Sequence, residues 1–457
     1  MTAPRKTPRH IAVIDIGKTN AKLALVDLAA RTEIAVTTRP NTVLAGPPYP
    51  HFDTDGHWEF LLDALARFQA EFGIDAISIT THGASGTLLA ADGSLAAPVI
   101  DYEHEGPETV AAEYDALRPP FAETGSPRLP AGQNVGAQIH WQFHIDPTLS
   151  DRVAYLVTYP QYWGHRLTGR VATDVTSIGC HTDLWNPWTG QPSSLVAKLG
   201  LTGKIAPTLK SGDILGPILP EIAARCGLDP ATPVTCGIHD SNASLLPHLI
   251  DRTGAFSVVS TGTWVVMLAV GGDAVTLDPD RDTLVNVNAF GQPTPSARFM
   301  GGREYELIRQ GRAPIATLTD ERFVLESGTM MLPSVQQGSG PFPHRAMGWL
   351  GPDRSDATEE VALGFYLALM TAESLAMIGA AGPVIVEGPF AQNPFFRRML
   401  RAATGRQVLV SQTRTGTAIG AALLYADKAP SPPPMAEEAD PGPAHAAYAA
   451  QWRATVG

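Results

Sequence analysis

Cysteine is scarce in this chain: Cys180, Cys226 and Cys236 are the only three in 457 residues, and no two form a C-x-x-C pair. That excludes a disulfide framework and a cysteine-built zinc site, and leaves three buried thiols as the expectation. Positive charge is also the minority, 33 Lys and Arg against 45 Asp and Glu, for a net charge of −12. No basic cluster interleaved with aromatics is present to track a phosphate backbone, so nucleic acid is not an expected partner. Charged residues make up 17% and hydrophobic ones 44%, a balance that can bury large cores and excludes a disordered chain. Long apolar runs are few. The main candidate, VALGFYLALMTAESLAMIGA from Val361 to Ala380, approaches membrane-spanning length but carries Thr371, Glu373 and Ser374. It reads as a buried helix of a soluble domain, with no membrane partner. The basic opening MTAPRKTPRH runs straight into a strand pattern without the apolar segment of a secretion signal, so a cytoplasmic location is expected.

What is present is enough chain for two substantial domains, since single domains cluster near ~100–150 residues. Near the start, IAVIDIGKTNAKLALVDL gives an apolar run, a small polar turn and a second apolar run, the pattern of a hairpin. AFSVVSTGTWVVMLAVGG repeats the plan, with Asp15 and Ser260 in comparable places. An ancient duplication, one hairpin per domain, explains the pair. Between them a helix-spaced segment, HWEFLLDALARFQAEFG, precedes the β-rich DAISITTHGASGTLLAADGSLAAPVI. That alternation predicts an α/β architecture. After residue 426, DKAPSPPPMAEEADPGP reads as a proline-rich linker and AHAAYAAQWRATV as a short terminal helix.

Three tempting motifs fail on spacing. Gly17-Lys18-Thr19 lacks the glycine a P-loop needs at position 12, which is Ala, and a β-like run follows it where a helix is required. HGASG lacks the spacer after Ser85 that a nucleophile elbow demands. His140 and His144 sit four apart, but two ligands without a third make no zinc site. What survives at the first turn is either an ordinary hairpin or a phosphate-binding loop, with Asp15 facing a hydrated Mg²⁺. The stretch GIHDSNAS, residues 237–244, poses a similar choice for Asp240, which either closes a turn after a buried strand or reacts.

IDIGKTNAKLALVD, ISITTHGASGTLLAADGS, HRLTGRVATDVTS, CGIHDSNASLLP, VVSTGTWVVMLAV and GTAIGAALLYA occur in an order that resembles the FGGY carbohydrate kinases from residue 11 to about 427. In motif it is most similar to the L-rhamnulose and L-fuculose kinase subgroup. The resemblance implies two ribonuclease H-like domains of the actin-type ATPase fold flanking a central cleft. Residues 1–245 would form the sugar and Mg/phosphate side, 246–427 the nucleotide side, and 428–457 the proline-rich linker and helix. It implies ATP-dependent phosphorylation of a ketose at its terminal primary hydroxyl, with Mg²⁺, by a monomer or homodimer.

By the same resemblance Asp240 is the general base, and Gly83, His239 and Ser241 contact the sugar with it. Asp15 orients Mg²⁺ through water. Gly17, Lys18, Thr19, Asn20 and Lys22 form the first phosphate loop, and Thr261, Gly262 and Thr263 the second. Gly388 and Asn393 belong to the adenosine motif, where VEGPFAQN places Pro389 and Phe390 in a run usually made of glycines. That departure bears on nucleotide preference. GTAIGAALLYA is expected to close the adenine side. A pentulose or polyol kinase of the same family is the alternative substrate class, and an actin-like nucleotide-regulated scaffold the alternative of another kind.

Overall fold

The computed structural model describes residues 8–411, 416–426 and 435–457. The chain divides into two compact units. The first comprises Met1–Arg252, Val285–Pro293 and Thr415–Pro432, and the second Thr253–Leu284, Thr294–Arg414 and Pro433–Gly457.

In the first unit the sheet is built on strands β1 (His10–Ile16), β2 (Asn20–Asp27), β3 (Thr32–Pro40) and β4 (Ala76–Thr81). Shorter strands β5 (Ile214–Pro217), β6 (Pro233–Thr235) and β7 (Ile238–His239) complete the sheet. The order is β5-β6-β4-β1-β2-β3, with β7 also paired to β4. Alternation decides which face each residue of β1 covers. Ala12, Ile14 and Ile16 pack with Trp58, Leu61 and Leu65 of helix Thr54–Phe72 and with Trp163 of helix Tyr159–Thr168. Ile11 and Val13 pack on the other face with Ala243 and Leu246 of helix Asp240–Asp251 and Ala418 and Ala421 of helix Thr417–Ala422. Helices on both faces explain why β1 from Ile11 on and all of β4 are buried on both sides rather than on one only.

The second unit uses the same plan. Strands β8 (Phe256–Thr261), β9 (Val265–Val270), β10 (Pro293–Phe299), β11 (Val384–Glu387), β12 (Val408–Val410) and β13 (Ala436–Glu437) run in the order β10-β9-β8-β11-β12-β13. Each unit therefore has an antiparallel hairpin, β1-β2 or β8-β9, whose first strand pairs in parallel with a later strand, β4 or β11. That is the ribonuclease H-like arrangement the family resemblance implied. The apolar segment Val361–Ala380 is helical to Met377 as part of helix Asp356–Met377, which is long and apolar enough by composition to cross a membrane. Here it is the core helix of the second unit, buried among Phe396, Met399, Leu400 and Trp452.

Two boundaries differ from expectation. The helix Thr417–Ala422 joins the first unit, because its small residues let backbone approach backbone: a Cβ on Gly420 would stand 1.8 Å from the Ala243 carbonyl oxygen. Tyr425 anchors the same segment by donating its hydroxyl to the Ile77 and Pro233 carbonyls, each at 2.9 Å. The terminal helix Pro443–Val456 is integral to the second unit. Trp452 Nε1 donates to the Met331 carbonyl at 2.8 Å, and the Tyr448 hydroxyl to the Thr329 carbonyl at 2.7 Å. Of the expected proline-rich linker, residues 427–434 lie outside the described residues, while Ala436–Glu437 form strand β13 and Glu438 accepts from Arg397.

Candidate active site

Parallel strands end together, and ligand sites in open α/β sheets form beyond their carboxyl ends. In the first unit, β1, β4 and β7 end in register: Asp15 lies opposite Thr80, and His239 opposite Thr81. Asp240 then begins the helix Asp240–Asp251. The sheet thus brings Asp15, the His82-Gly83 corner, His239 and Asp240 to one end.

Asp240 accepts a bond from the Ser241 backbone N–H at 2.6 Å, and His239 Nε2 stands 3.3 Å from the same carboxylate oxygen. A third of its side-chain surface stays open to solvent. Burial still holds its carboxyl above the usual carboxylate range, with His82 opposing the shift. Asp15 is also raised, by burial first, although Lys22 lies 3.1 Å away and opposes it; the charge of Asp240 adds to the rise. His82 and His239 are both pushed down to about 4 by burial, so both are neutral at pH 7.

The imidazole tautomers follow from the partners. His82 Nδ1 meets the Gly83 carbonyl at 2.8 Å and must donate, leaving Nε2 as a buried acceptor without a partner. His239 Nε2 faces the carboxylate, leaving its buried Nδ1 in the same state. His82 is held among Phe52, Tyr102 and Tyr159, with ring centroids 5.0, 5.2 and 5.1 Å away. Gly83 also makes room for His239: a Cβ there would meet His239 Nε2 at 2.5 Å.

A second layer fixes these groups. Asp174 is fully buried and accepts from the Thr176 and Ser177 backbone N–H groups and the Ser211 hydroxyl. Thr176 donates its hydroxyl to Asp174 and accepts the His239 backbone N–H at 2.9 Å. After Gly83, Ala84 takes a left-handed backbone, φ 55°, and Gln138 donates to its carbonyl. His82, Asp174 and Gln138 were missed as site residues in the sequence. The capping pattern Asp-Val-Thr-Ser at 174–177 was the one available signal.

The first phosphate loop is only partly as expected. Gly17, Thr19 and Asn20 form the β1-β2 turn, closed by the Gly17 N–H to the Asn20 carbonyl at 2.9 Å, with Thr19 and Asn20 exposed. Lys18 is drawn elsewhere: it pairs with Asp101 and with Glu103 at 3.1 Å, its ammonium 4.7 Å from the Tyr102 ring centroid. Lys22 is engaged by Asp15 and by Glu33 at 3.2 Å. Ser241 spends both its N–H and its hydroxyl on Asp240.

In the second unit a cavity of about 480 Å³ is lined by Gly262, Thr263, Gly302, Arg303, Tyr305, Glu306, Pro389, Phe390 and Asn393. Helix Gly301–Arg309 starts against the β8-β9 turn, where a Cβ on Gly302 would come within 2.0 Å of the Gly262 carbonyl. Only glycine permits that contact, and it leaves helix N-terminal N–H groups beside the turn. Thr261, by contrast, does not reach the cavity. Its hydroxyl donates to the Glu387 carbonyl at 2.6 Å and accepts the Phe390 N–H at 3.1 Å. Gly388 takes φ 84° and faces the Thr261 carbonyl, so its role is also to close this junction. Asn393 caps helix Pro394–Thr404 through its side-chain oxygen, which accepts the N–H groups of Phe395 and Phe396. Phe390 is anchored against Phe396, centroids 5.4 Å apart. Trp264 is half-buried beneath the Arg298 guanidinium, 4.8 Å away.

The chain belongs to the FGGY family of carbohydrate kinases. The model of the family's N-terminal domain matches residues 10–247, and that of the carbohydrate kinase FGGY C-terminal domain matches 253–433. The crystal structure of a carbohydrate kinase from Novosphingobium aromaticivorans is 36% identical, covers 99% of both chains and superposes with a TM-score of 0.92. Xylulose kinase from Rhodospirillum rubrum is 20% identical over 98% of both chains, TM-score 0.75, a likeness of fold. The L-fuculokinase of Escherichia coli K12 is 25% identical over 272 residues, 56% of this chain and 56% of that protein, so the match spans little more than half its length. Autoinducer-2 kinase of Salmonella typhimurium LT2 is 22% identical over 91% of this chain and 85% of that protein.

Proposed function

We propose that the protein transfers the γ-phosphoryl group of ATP to the terminal primary hydroxyl of a ketose, with Asp240 as the base that takes the hydroxyl proton. The observation that carries this reading is Asp240 itself, a carboxylate at the strand ends, partly open, raised in basicity and flanked by two neutral histidines. A loose phosphoryl-transfer transition state needs a positioned proton acceptor more than a strong nucleophile, and a carboxylate suffices. The buried acceptor nitrogens of His82 and His239 lack partners, and a substrate hydroxyl reaching either would satisfy it, which a polyhydroxyl compound can do. Lys18, Asp101 and Glu103 lie on this side and read the sugar rather than the phosphates. The L-fuculokinase relatives favour a deoxyketose such as L-fuculose or L-rhamnulose, with pentuloses next.

The nucleotide fits the second-unit cavity, with phosphates at Gly262, Thr263 and Gly302. Among the described residues no three His, Cys, Asp or Glu side chains cluster as a metal cage. Asp15 accordingly suits Mg²⁺, an ion that keeps several waters and takes few protein ligands. Mg²⁺ would neutralise charge on the phosphates; Asp15 orients it and Asp240 holds the proton. A coupled ADP-release screen of L-rhamnulose, L-fuculose, D- and L-ribulose, D- and L-xylulose, erythrulose and glycerol tests the reading. Stimulation by a ketose above glycerol is expected, and no stimulation by any of the eight would favour a nucleotide-regulated scaffold.

A further inference from the structure

The 480 Å³ cavity of the second unit is lined by two chemically different sets of residues. Gly262, Thr263 and Gly302 belong to the β8-β9 turn and the helix start, where backbone groups are accessible. One helical turn on stands the ring of Tyr305, half-buried beside Phe390, with centroids 6.0 Å apart and planes inclined at 54°.

Tyr305 is held by more than packing. Its hydroxyl donates to both oxygens of Glu360, at 3.3 and 3.4 Å. Glu360 is paired at 3.5 Å with Arg309, one turn along the same helix and 1% exposed. Arg309 also bonds Glu359 and the Asp356 carbonyl. A buried arginine is costly unless its charge is met on several sides, and here that network ends on the tyrosine. The ring is thereby fixed in orientation before any ligand arrives. Burial, with Glu360 adding to it, pushes the phenol up to about 12, so the hydroxyl stays a donor to Glu360 at neutral pH.

We infer that Tyr305 is the platform on which the nucleotide base stacks, positioned by Glu360 and Arg309. This rests on the nucleotide reading of the cavity and names the group that grips the base. Phe390, turned into the core, supports the ring from beside. The Pro389-Phe390 pair in place of flexible glycines therefore stiffens the base end.

Titration calorimetry of the full chain with ADP, and separately with inorganic tripolyphosphate, tests it. Stacking on an aromatic is worth roughly tenfold to a hundredfold in affinity. Y305A should lose at least about tenfold for ADP and keep tripolyphosphate affinity, because that probe has no base. Y305F should restore ADP binding to within about threefold of native. L307A, at a partly exposed position on the same helix, should leave ADP affinity and melting temperature unchanged. Equal losses for both probes in Y305A, no loss for ADP, failure of Y305F to rescue, or a matching loss in L307A would each overturn the assignment. If the native chain binds neither probe, the nucleotide reading of the cavity falls and the platform with it. If it binds ADP and Y305A binds ADP equally well, only the platform falls.

Discussion

Gly83 and His239 show how one side chain can dictate another. A methyl group at Gly83 would sit 2.5 Å from His239 Nε2 and turn the ring away from Asp240. Misplacement of about 1 Å near reacting groups can cost on the order of a hundredfold. G83A should therefore lose about that much in kcat/KM with the KM for ATP unchanged, as steady-state kinetics with each substrate varied will show. The pH profile belongs to the same scale. As the proposed base, Asp240 must be ionised, and its folded value is raised, so activity should fall as pH drops through a midpoint above the ordinary 3.8. His82 and His239, at about 4, are neutral through the physiological range and should contribute no limb near 6.5. A limb there that H239A abolishes would contradict the assignment. Asp15, Asp240 and Gly83 were legible in the sequence because they sit in short motifs. The fate of Lys18 was not, since its partners Asp101 and Glu103 lie more than eighty residues on and no local pattern reports them. K18A should raise the sugar KM severalfold and leave the KM for ATP in place; the reverse would return Lys18 to the phosphates.

At the scale of elements, close backbone contacts decide which helix covers which sheet. Both hairpins were legible, because apolar runs flanking a small polar turn leave few alternatives. The allegiance of Gly416 to Ala426 was not, because a stripe of glycine and alanine suits any close helix contact. Its seat is fixed by Gly420 against the Ala243 carbonyl. G420A forces the two helices apart, and overpacking of this kind costs about 1–3 kcal/mol. Denaturant unfolding should show that loss, while an unchanged midpoint would place the segment elsewhere. Thr261 makes a parallel case in the second unit. Its hydroxyl joins β8 to the Glu387-Phe390 junction, and T261V leaves a buried N–H and a carbonyl unpaired at about 1–3 kcal/mol. The expected sign is lower stability together with a raised KM for ATP, since the junction supports the cavity wall.

For the whole molecule, both units share one plan, a hairpin whose first strand pairs in parallel with a later strand, and that repeat suits the proposed reaction of two substrates. The sequence was enough to identify that duplication and its family, because the motif order survives even where the residues between have diverged. It was not enough to place the terminal helix, whose Trp452, Tyr448 and His445 are bound to Met331, Thr329 and Glu321 across more than a hundred residues of chain. Nor does a motif encode hydroxyl stereochemistry, which is why the ketose itself is a matter for the substrate screen. The central claim rests on Asp240. Replacing it by Asn preserves size and removes the proton acceptor, so D240N should bind the best ketose of the screen with near-native affinity by calorimetry and release no sugar-dependent ADP above background. Near-normal ADP release by D240N would contradict the account.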